Sequence, residues 1–214
     1  MNHMPMKPLA GAHVRQPTRR ALAKQATREK ILASARDLFA EKGYEGATIR
    51  DIASAAGMST GAVFASFADK AELFQEILAS RTDTLVATMA EAGRDGPVDK
   101  ALLNVFVRGY ELNFADLPLL QAAVAVSWTP EHGPHIRKMG GRARILAAIE
   151  AVVARGVETG ALVKSTPTDR VSAMLWDLFL ASFRLAAFDC WSLEEMRIRT
   201  QQNIDVILAG FKSK

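Results

Sequence analysis

The run Thr48-Ile-Arg-Asp-Ile-Ala-Ser-Ala-Ala-Gly-Met-Ser-Thr-Gly-Ala-Val-Phe-Ala-Ser-Phe67 constrains the fold more than any other part of this 214-residue chain. It reads as two short helices that must cross at a steep angle. Thr48 and Asp51 have the spacing of a capping box, which satisfies amides left open at a helix start. Ile49 and Ile52 supply the apolar face of the first helix. Ala53 stands where the two helices approach, and a larger side chain there would push them apart. Gly57, four residues on, can take the left-handed backbone that a tight turn requires. Met58 tucks under the turn, Ser59 caps the second helix, and Val63 points back toward Ile52 and Ala53. A small residue, a glycine and an apolar residue at these offsets are the signature of a helix-turn-helix.

The exposed face expected of the second helix, Thr60, Gly61, Ala62 and Ala65, is small and uncharged. A generic solvated helix would carry Lys and Glu. A helix lying against base edges suits this face better, because Thr and Ala methyls can meet thymine methyls. A structural helical hairpin offers the same caps and apolar positions, so the motif alone leaves both readings open.

Helical signals continue on either side. Ile31, Leu32, Ala35, Leu38 and Phe39 share one helical face, with Thr27 as a start cap and Gly43 as a stop. Asp69 and Glu72 open a helix that carries Leu73, Phe74, Ile77, Leu78 and Leu85 inward and ends near residue 92. Pro97 suits the first turn of the next, with Leu102, Phe106 and Tyr110. Further helices are expected from Leu117 to Trp128, from Ile136 to Glu158, from Thr166 to Phe188 and from Ser192 to Phe211. Aromatics are only 7% of the residues and alanine is abundant, which favours helix over sheet. The reading is an all-α chain of about nine helices, with a basic disordered arm over 1–24, a three-helix head over 25–72 and a helical body over 73–214. The boundary is a change of role along one helix and not a linker.

Charge is unevenly placed. The first thirty residues carry Lys7, Arg15, Arg19, Arg20, Lys24, Arg28 and Lys30 against Glu29 alone, while the whole chain nets only +4. A basic arm on a slightly acidic body suits a polyanion at one end, and equally a solvated tail. The single cysteine, Cys190, permits no internal disulfide and sits in the apolar stretch Phe188-Asp-Cys-Trp191, which reads as a buried structural thiol in a cytoplasmic protein. No stretch has the length and apolarity of a signal peptide or a membrane span. Glu131, His132 and His135 are the only grouping that resembles metal ligands, and they lie in a Gly/Pro loop with no third histidine nearby. No phosphate loop or nucleophile elbow is present, so neither an enzyme nor a cofactor is expected. A purely structural helical protein would not need the basic arm.

The run Thr27–Phe74 contains Phe39-Ala-Glu-Lys-Gly-Tyr44, Thr48-Ile-Arg-Asp-Ile-Ala53, Ala56-Gly-Met-Ser59 and Phe67-Ala-Asp-Lys-Ala-Glu-Leu-Phe74 in order. It resembles the DNA-binding domain of the TetR (tetracycline-repressor-like) family and covers roughly a quarter of the chain. The resemblance implies a head whose fourth helix leads into a dimerisation and ligand-binding body. Ser59 to Phe67 would be the recognition helix in the major groove of a double-stranded operator. Thr60 and Ala62 would meet base edges, Lys70 would match the family's phosphate-contacting lysine, and Thr27, Arg28 and Arg50 would be further phosphate contacts. Thr48, Gly61, Phe64, Ser66 and Phe67 complete the expected DNA-binding set. Many relatives place aromatic, histidine or arginine side chains at the positions of Phe64, Ala65 and Ser66, where they hold the DNA backbone. Here that grip is reduced, which shifts weight to Ser66, Lys70 and the basic arm.

For the body the resemblance implies a homodimer through the last two long helices, with Leu175, Leu178, Phe179, Ser182 and Phe183 on one and Ile198, Ile204, Ile207 and Leu208 on the other. Intramolecular core is an equal reading for each of these. Phe106, Tyr110, Phe114, Ser127, Trp128, Met139, Met174 and Trp176 are candidates to line a cavity for an unidentified small-molecule effector, with packed core as the alternative. The expectation is a repressor on a near-palindromic site, released by its effector. The alternative is DNA binding that is constitutive or controlled by a partner.

Overall fold

The computed structural model describes residues 18–114, 116–127, 129–130 and 141–213. Trp128, Met139, the Glu131–His132–His135 grouping, the first part of the basic arm and residues 136–140 of the expected long helix lie outside the described residues. Nine helices are present among those described. They are α1 (Arg19–Gly46), α2 (Ile49–Ala55), α3 (Thr60–Phe64), α4 (Lys70–Ala92), α5 (Val98–Phe114), α6 (Leu117–Ser127), α7 (Gly141–Glu158), α8 (Thr168–Phe188) and α9 (Leu193–Ala209). The only β feature among the described residues is an isolated bridge between Leu162 and Lys212, where the Val163 amide donates to the Phe211 carbonyl at 2.8 Å. None of these helices is long and apolar enough to cross a membrane.

α1 begins well before the expected cap at Thr27. The Thr18 hydroxyl accepts from the Ala21 amide at 3.2 Å, and residues 18–24, expected as part of a disordered arm, form the cap and first turns. Arg-Arg-Ala-Leu-Ala-Lys-Gln-Ala over 19–26 is rich in helix formers but has no apolar face, so propensity and the cap extend the helix where periodicity is silent. Thr27 is interior, its hydroxyl turned back to the Ala23 carbonyl at 3.0 Å. Gly43, at φ 70°, breaks the regular helix where a stop was expected. The start of α8 also differs. Pro167 takes the cap position with no side-chain bond, and the Thr166 hydroxyl donates back to the Val163 carbonyl at 2.6 Å.

Two apolar cores form. The head core gathers Ile31, Ala35 and Phe39 of α1, Ile52 and Ala53 of α2, Val63 of α3, and Leu73, Phe74 and Ile77 of α4. Phe39, Tyr44 and Phe74 make an aromatic cluster with ring centroids 4.9–5.7 Å apart. The body core joins α4 from Leu85 onward with α5, α7, α8 and α9. The change of role along α4 thus falls between Ile77 and Leu85, beyond the boundary expected at residue 72. α6 is the less expected element. Its Leu119, Ala122 and Val126 are buried in the head core, against α1, although the chain reaches α6 only after a body helix.

Cys190 is exposed at φ 55° in the turn after α8, and not buried as expected. α8 ends before it, which leaves the apolar neighbour Phe188 exposed as well.

Candidate nucleic-acid interface

The helix-turn-helix is built as its sequence dictates. The Thr48 hydroxyl accepts from the Asp51 amide at 3.1 Å, and the Asp51 carboxylate accepts from the Thr48 amide at 3.3 Å, closing the capping box of α2. The Thr48 hydroxyl, then the Thr48 amide, hold the Asp51 carboxyl below the usual carboxylate range, because both bonds favour the ionised form. Gly57 sits at φ 64°, in the left-handed region, and lets the Met58 amide reach the Ala53 carbonyl at 2.8 Å. Ser59 caps α3 by accepting from the Ala62 amide at 3.2 Å. Val63 is buried against the head core, which fixes the roll of α3 and decides what faces outward.

What faces outward is Ser59, Thr60, Gly61, Phe64 and Ala65, with Ala62 and Ser66 half-buried. Phe64 is 55% exposed, an unusual position for a phenyl ring. Gly61 needs no glycine for its own sake: a Cβ there would meet nothing closer than the Ser59 Oγ at 3.8 Å. Its bareness lets another molecule approach the helix closely. Thr48 and Arg50 are exposed at the start of α2, beside this face, and Arg50 has no hydrogen bond or ion pair among the described residues.

Besides Thr27, whose hydroxyl bonds the Ala23 carbonyl, three expected DNA contacts have other work. Phe67 is 2% exposed and belongs to the head core, because α3 has ended and the chain turns inward to start α4. The Arg28 guanidinium binds the Glu76 carboxylate and the Ser66 carbonyl and lies 4.0 Å from the centroid of the Phe67 ring, so it ties α1 to α4 and to the end of α3. Lys70 turns its ammonium back to the carbonyls of Tyr44 at 2.9 Å and Ala47 at 3.3 Å, 4.3 Å from the centroid of the Tyr44 ring. Those carbonyls lie after the Gly43 break, at the C-terminal end of α1, where a cation is favourable. Lys30 was overlooked as a candidate. It is exposed, and its Nζ lies 3.7 Å from where a Gly57 Cβ would stand, over the turn itself. The i, i+27 separation left no local signal of this.

In the body, a cleft of about 370 Å³ opens between α4, α5, α6, α7 and α8. Of the expected pocket residues, Ser127 and Trp176 line it. Phe106 and Tyr110 are buried in the body core, where the Tyr110 hydroxyl lies 3.0 Å from that of Thr200 and burial pushes its pKa up. Phe114 packs on that core without lining the cleft, and Met174 is 49% exposed on the outer side of α8. The expected dimer stripes divide the same way. Leu175, Phe179, Ser182, Phe183, Ile204 and Leu208 are buried within the subunit, and Leu178 and Ile207 are half-buried, because these positions face α5 and each other. The exposed positions include Met174, Ala181 and Phe188 on α8, each seven residues apart and alternating with the charged Asp177 and Arg184, and Ile198, Gln202, Val206 and Ala209 on α9, beside Arg199 and Asp205.

Comparison with known proteins agrees with this architecture. Residues 31–77 match the family described as bacterial regulatory proteins, tetR family. The HTH-type transcriptional repressor AcnR of Corynebacterium efficiens is 43% identical over 67 residues, 31% of this chain and 36% of that protein. The chain thus matches about a third of the length of such curated relatives. Over most of its length it superposes on a transcriptional regulator from Rhodococcus sp. RHA1, with TM-score 0.73 and 26% identity, covering 87% of this chain and 98% of the other. A structure from Mesorhizobium loti assigned to the TetR family gives TM-score 0.72 at 20% identity, covering 92% and 100%. The matched family is one of regulatory proteins and not of enzymes.

Proposed function

This chain belongs to the tetR family of bacterial regulatory proteins, and we propose that it is a cytoplasmic transcriptional repressor that binds a near-palindromic operator as a homodimer and is released by a small-molecule effector. The observation that carries the DNA-binding step is the outward face of α3. It presents Thr60, Gly61, Ala62 and Phe64, uncharged and bare, on a helix whose inner face is locked by Val63. Such a face gains little from water and suits base edges in a major groove. Thr48, Arg50 and Ser66 flank it as backbone contacts, with Lys30 and the exposed Arg19, Arg20 and Lys24 of α1 supplying charge.

Dimerisation would use the outer stripes of α8 and α9, which together with their copies make a four-helix interface. Two recognition helices would then lie about one DNA turn apart, or somewhat more. The effector step rests on the cleft and on α6. α6 sits in the head core through Leu119, Ala122 and Val126, and its Leu119, Leu120, Ala123 and Val124 line the cleft, so Leu119 touches both. A ligand that prefers one position of α6 would shift the head with it.

The test is fluorescence anisotropy of the full chain on DNA from upstream of its own gene, with random DNA as competitor, over a series of salt concentrations. Preference for the upstream DNA, with log K falling linearly against log salt, is the expected result. Equal affinity for both DNAs at every salt concentration would overturn the reading.

A further inference from the structure

We propose that the cleft selects an effector that joins an anionic group, carboxylate or phosphate, to an apolar body, and that Arg81 is the residue that grips the anion. The inference rests on the effector reading above and specifies its ligand class. Among the described residues, Arg81, Arg142 and Arg144 line the cleft against one lining carboxylate, Asp83. The remaining wall is largely apolar, with Leu85, Leu120, Val124, Ile145, Trp176 and Leu180. Arg142 and Arg144 are more than half exposed and pair with Asp177 at 3.8 Å and Asp83 at 2.5 Å, so they stand at the mouth. Arg81 is deeper, with its side chain 22% exposed.

Arg81 is held by one residue near the end of α5 and one in the turn before α6. It binds the Asp116 carboxylate and donates to the Asn113 side-chain oxygen at 3.3 Å. Asp116 is shared, because Arg36 of α1 binds the same Oδ2. A guanidinium has five donors in a planar fork, and these contacts leave some of Arg81's free for a second anion. An acid in the cleft would compete with Asp116 for Arg81 and loosen the α5–α6 corner. The head meets that corner through the packing of α6, and Arg36 biases the angle at which it sits. A neutral ligand of the same shape has no such effect, and a cation meets like charge.

The test uses the full chain without DNA. Tryptophan fluorescence, with Trp176 in the wall of the cleft, follows titration with decanoate, decyl phosphate, decanol and decyltrimethylammonium. Both acids are expected to bind about tenfold or more tighter than decanol, and the cation weakest. The order of the two acids separates carboxylate from phosphate as the preferred group. Arg81→Gln should remove the preference while leaving decanol affinity as it was. Asp116→Asn, which frees Arg81, should tighten the acids by about threefold and leave decanol unchanged, an outcome that structural damage would not produce. Decanol binding as tightly as the acids overturns the proposal, as does a failure of every probe to bind or an acid preference that survives Arg81→Gln. Should Arg81→Gln not fold, the wild-type series and Asp116→Asn decide alone. Operator binding is measured separately. A protein that prefers its operator but shows no acid preference refutes only this inference, and one that binds acids but no DNA refutes the regulator reading.

Discussion

Replacing Lys70 by methionine separates two accounts of one residue. The family resemblance gives this lysine to a DNA phosphate, whereas the structure spends its ammonium on the carbonyls of Tyr44 and Ala47. Methionine keeps the apolar stem and removes the charge. A hydrogen bond from a charged donor contributes about 1.5–3 kcal/mol, and a cation over an aromatic ring about 0.5–1. Both acceptor residues are buried, but the Lys70 side chain is still 24% exposed and the second bond is long, so water recovers part of the loss. A net destabilisation of about 1–3 kcal/mol follows. In a chain of this size each kcal/mol lowers Tm by roughly 2–4 °C. Urea denaturation followed by circular dichroism reads the first quantity, and the salt dependence of operator binding reads the second. The expected result is a lower midpoint with an unchanged salt slope. Unchanged stability with a slope reduced by about 1 would refute the reasoning and return Lys70 to the phosphate.

Phe64→Ala should change stability by no more than about 0.5 kcal/mol, since the residue is 55% exposed, yet weaken operator binding by about 1–3 kcal/mol without changing affinity for random DNA. Phe67→Ala, three residues on, should do the reverse and cost about 3–5 kcal/mol of stability, read by the same denaturation. Val206→Asp places a charge at a position 77% exposed on the outer face of α9. Sedimentation should show a monomer with unchanged helicity and lost operator binding. Acid should unfasten the start of α2. The folded pKa of Asp51 lies below its unfolded value, so its contribution is present above the unfolded pKa and is lost as pH falls through the folded one. An NMR titration should find the Thr48 amide shifting with Asp51 below the ordinary carboxylate midpoint. A midpoint at or above the ordinary value would contradict the capping box.

The head was legible because its rules are local. Thr48, Asp51, Gly57 and Ser59 act on amides and carbonyls within a few residues, and those offsets can be read directly. Side chains that reach across the fold were not legible. Arg28 and Lys70 looked like free cations because Glu76 and the carbonyls of Tyr44 and Ala47 are distant in sequence or belong to the backbone. Phe67 shares its motif with Phe64, and only the end of α3 decides that one ring turns inward and the other out. The same limit applies to the body. Periodicity showed that α8 has an apolar face, but α8 also carries Met174, Ala181 and Phe188 on its other side, and a single stripe could not say which face meets α5.

The placement of α6 then determines how the two cores can communicate. Leu119 and Val126 are almost fully buried between α6 and the head, and burial of such a side chain stabilises by about 1.5–3 kcal/mol each. The Arg36–Asp116 pair, with Arg36 half exposed, contributes about 0–1 kcal/mol. Packing therefore fastens the head to α6, and the ion pair can only bias the angle at which it sits. A ligand that merely broke the pair would leave the head where it was. One that moved α6 would take the head along, because separating them exposes two large apolar side chains. This orders the residues by effect: Leu119→Ala should uncouple effector from operator far more than Arg36→Ala, at a stability cost of about 2–5 kcal/mol. The measurement is the factor by which saturating decanoate lowers operator affinity in each variant, and a larger loss of that factor in Arg36→Ala would place the coupling in the ion pair instead.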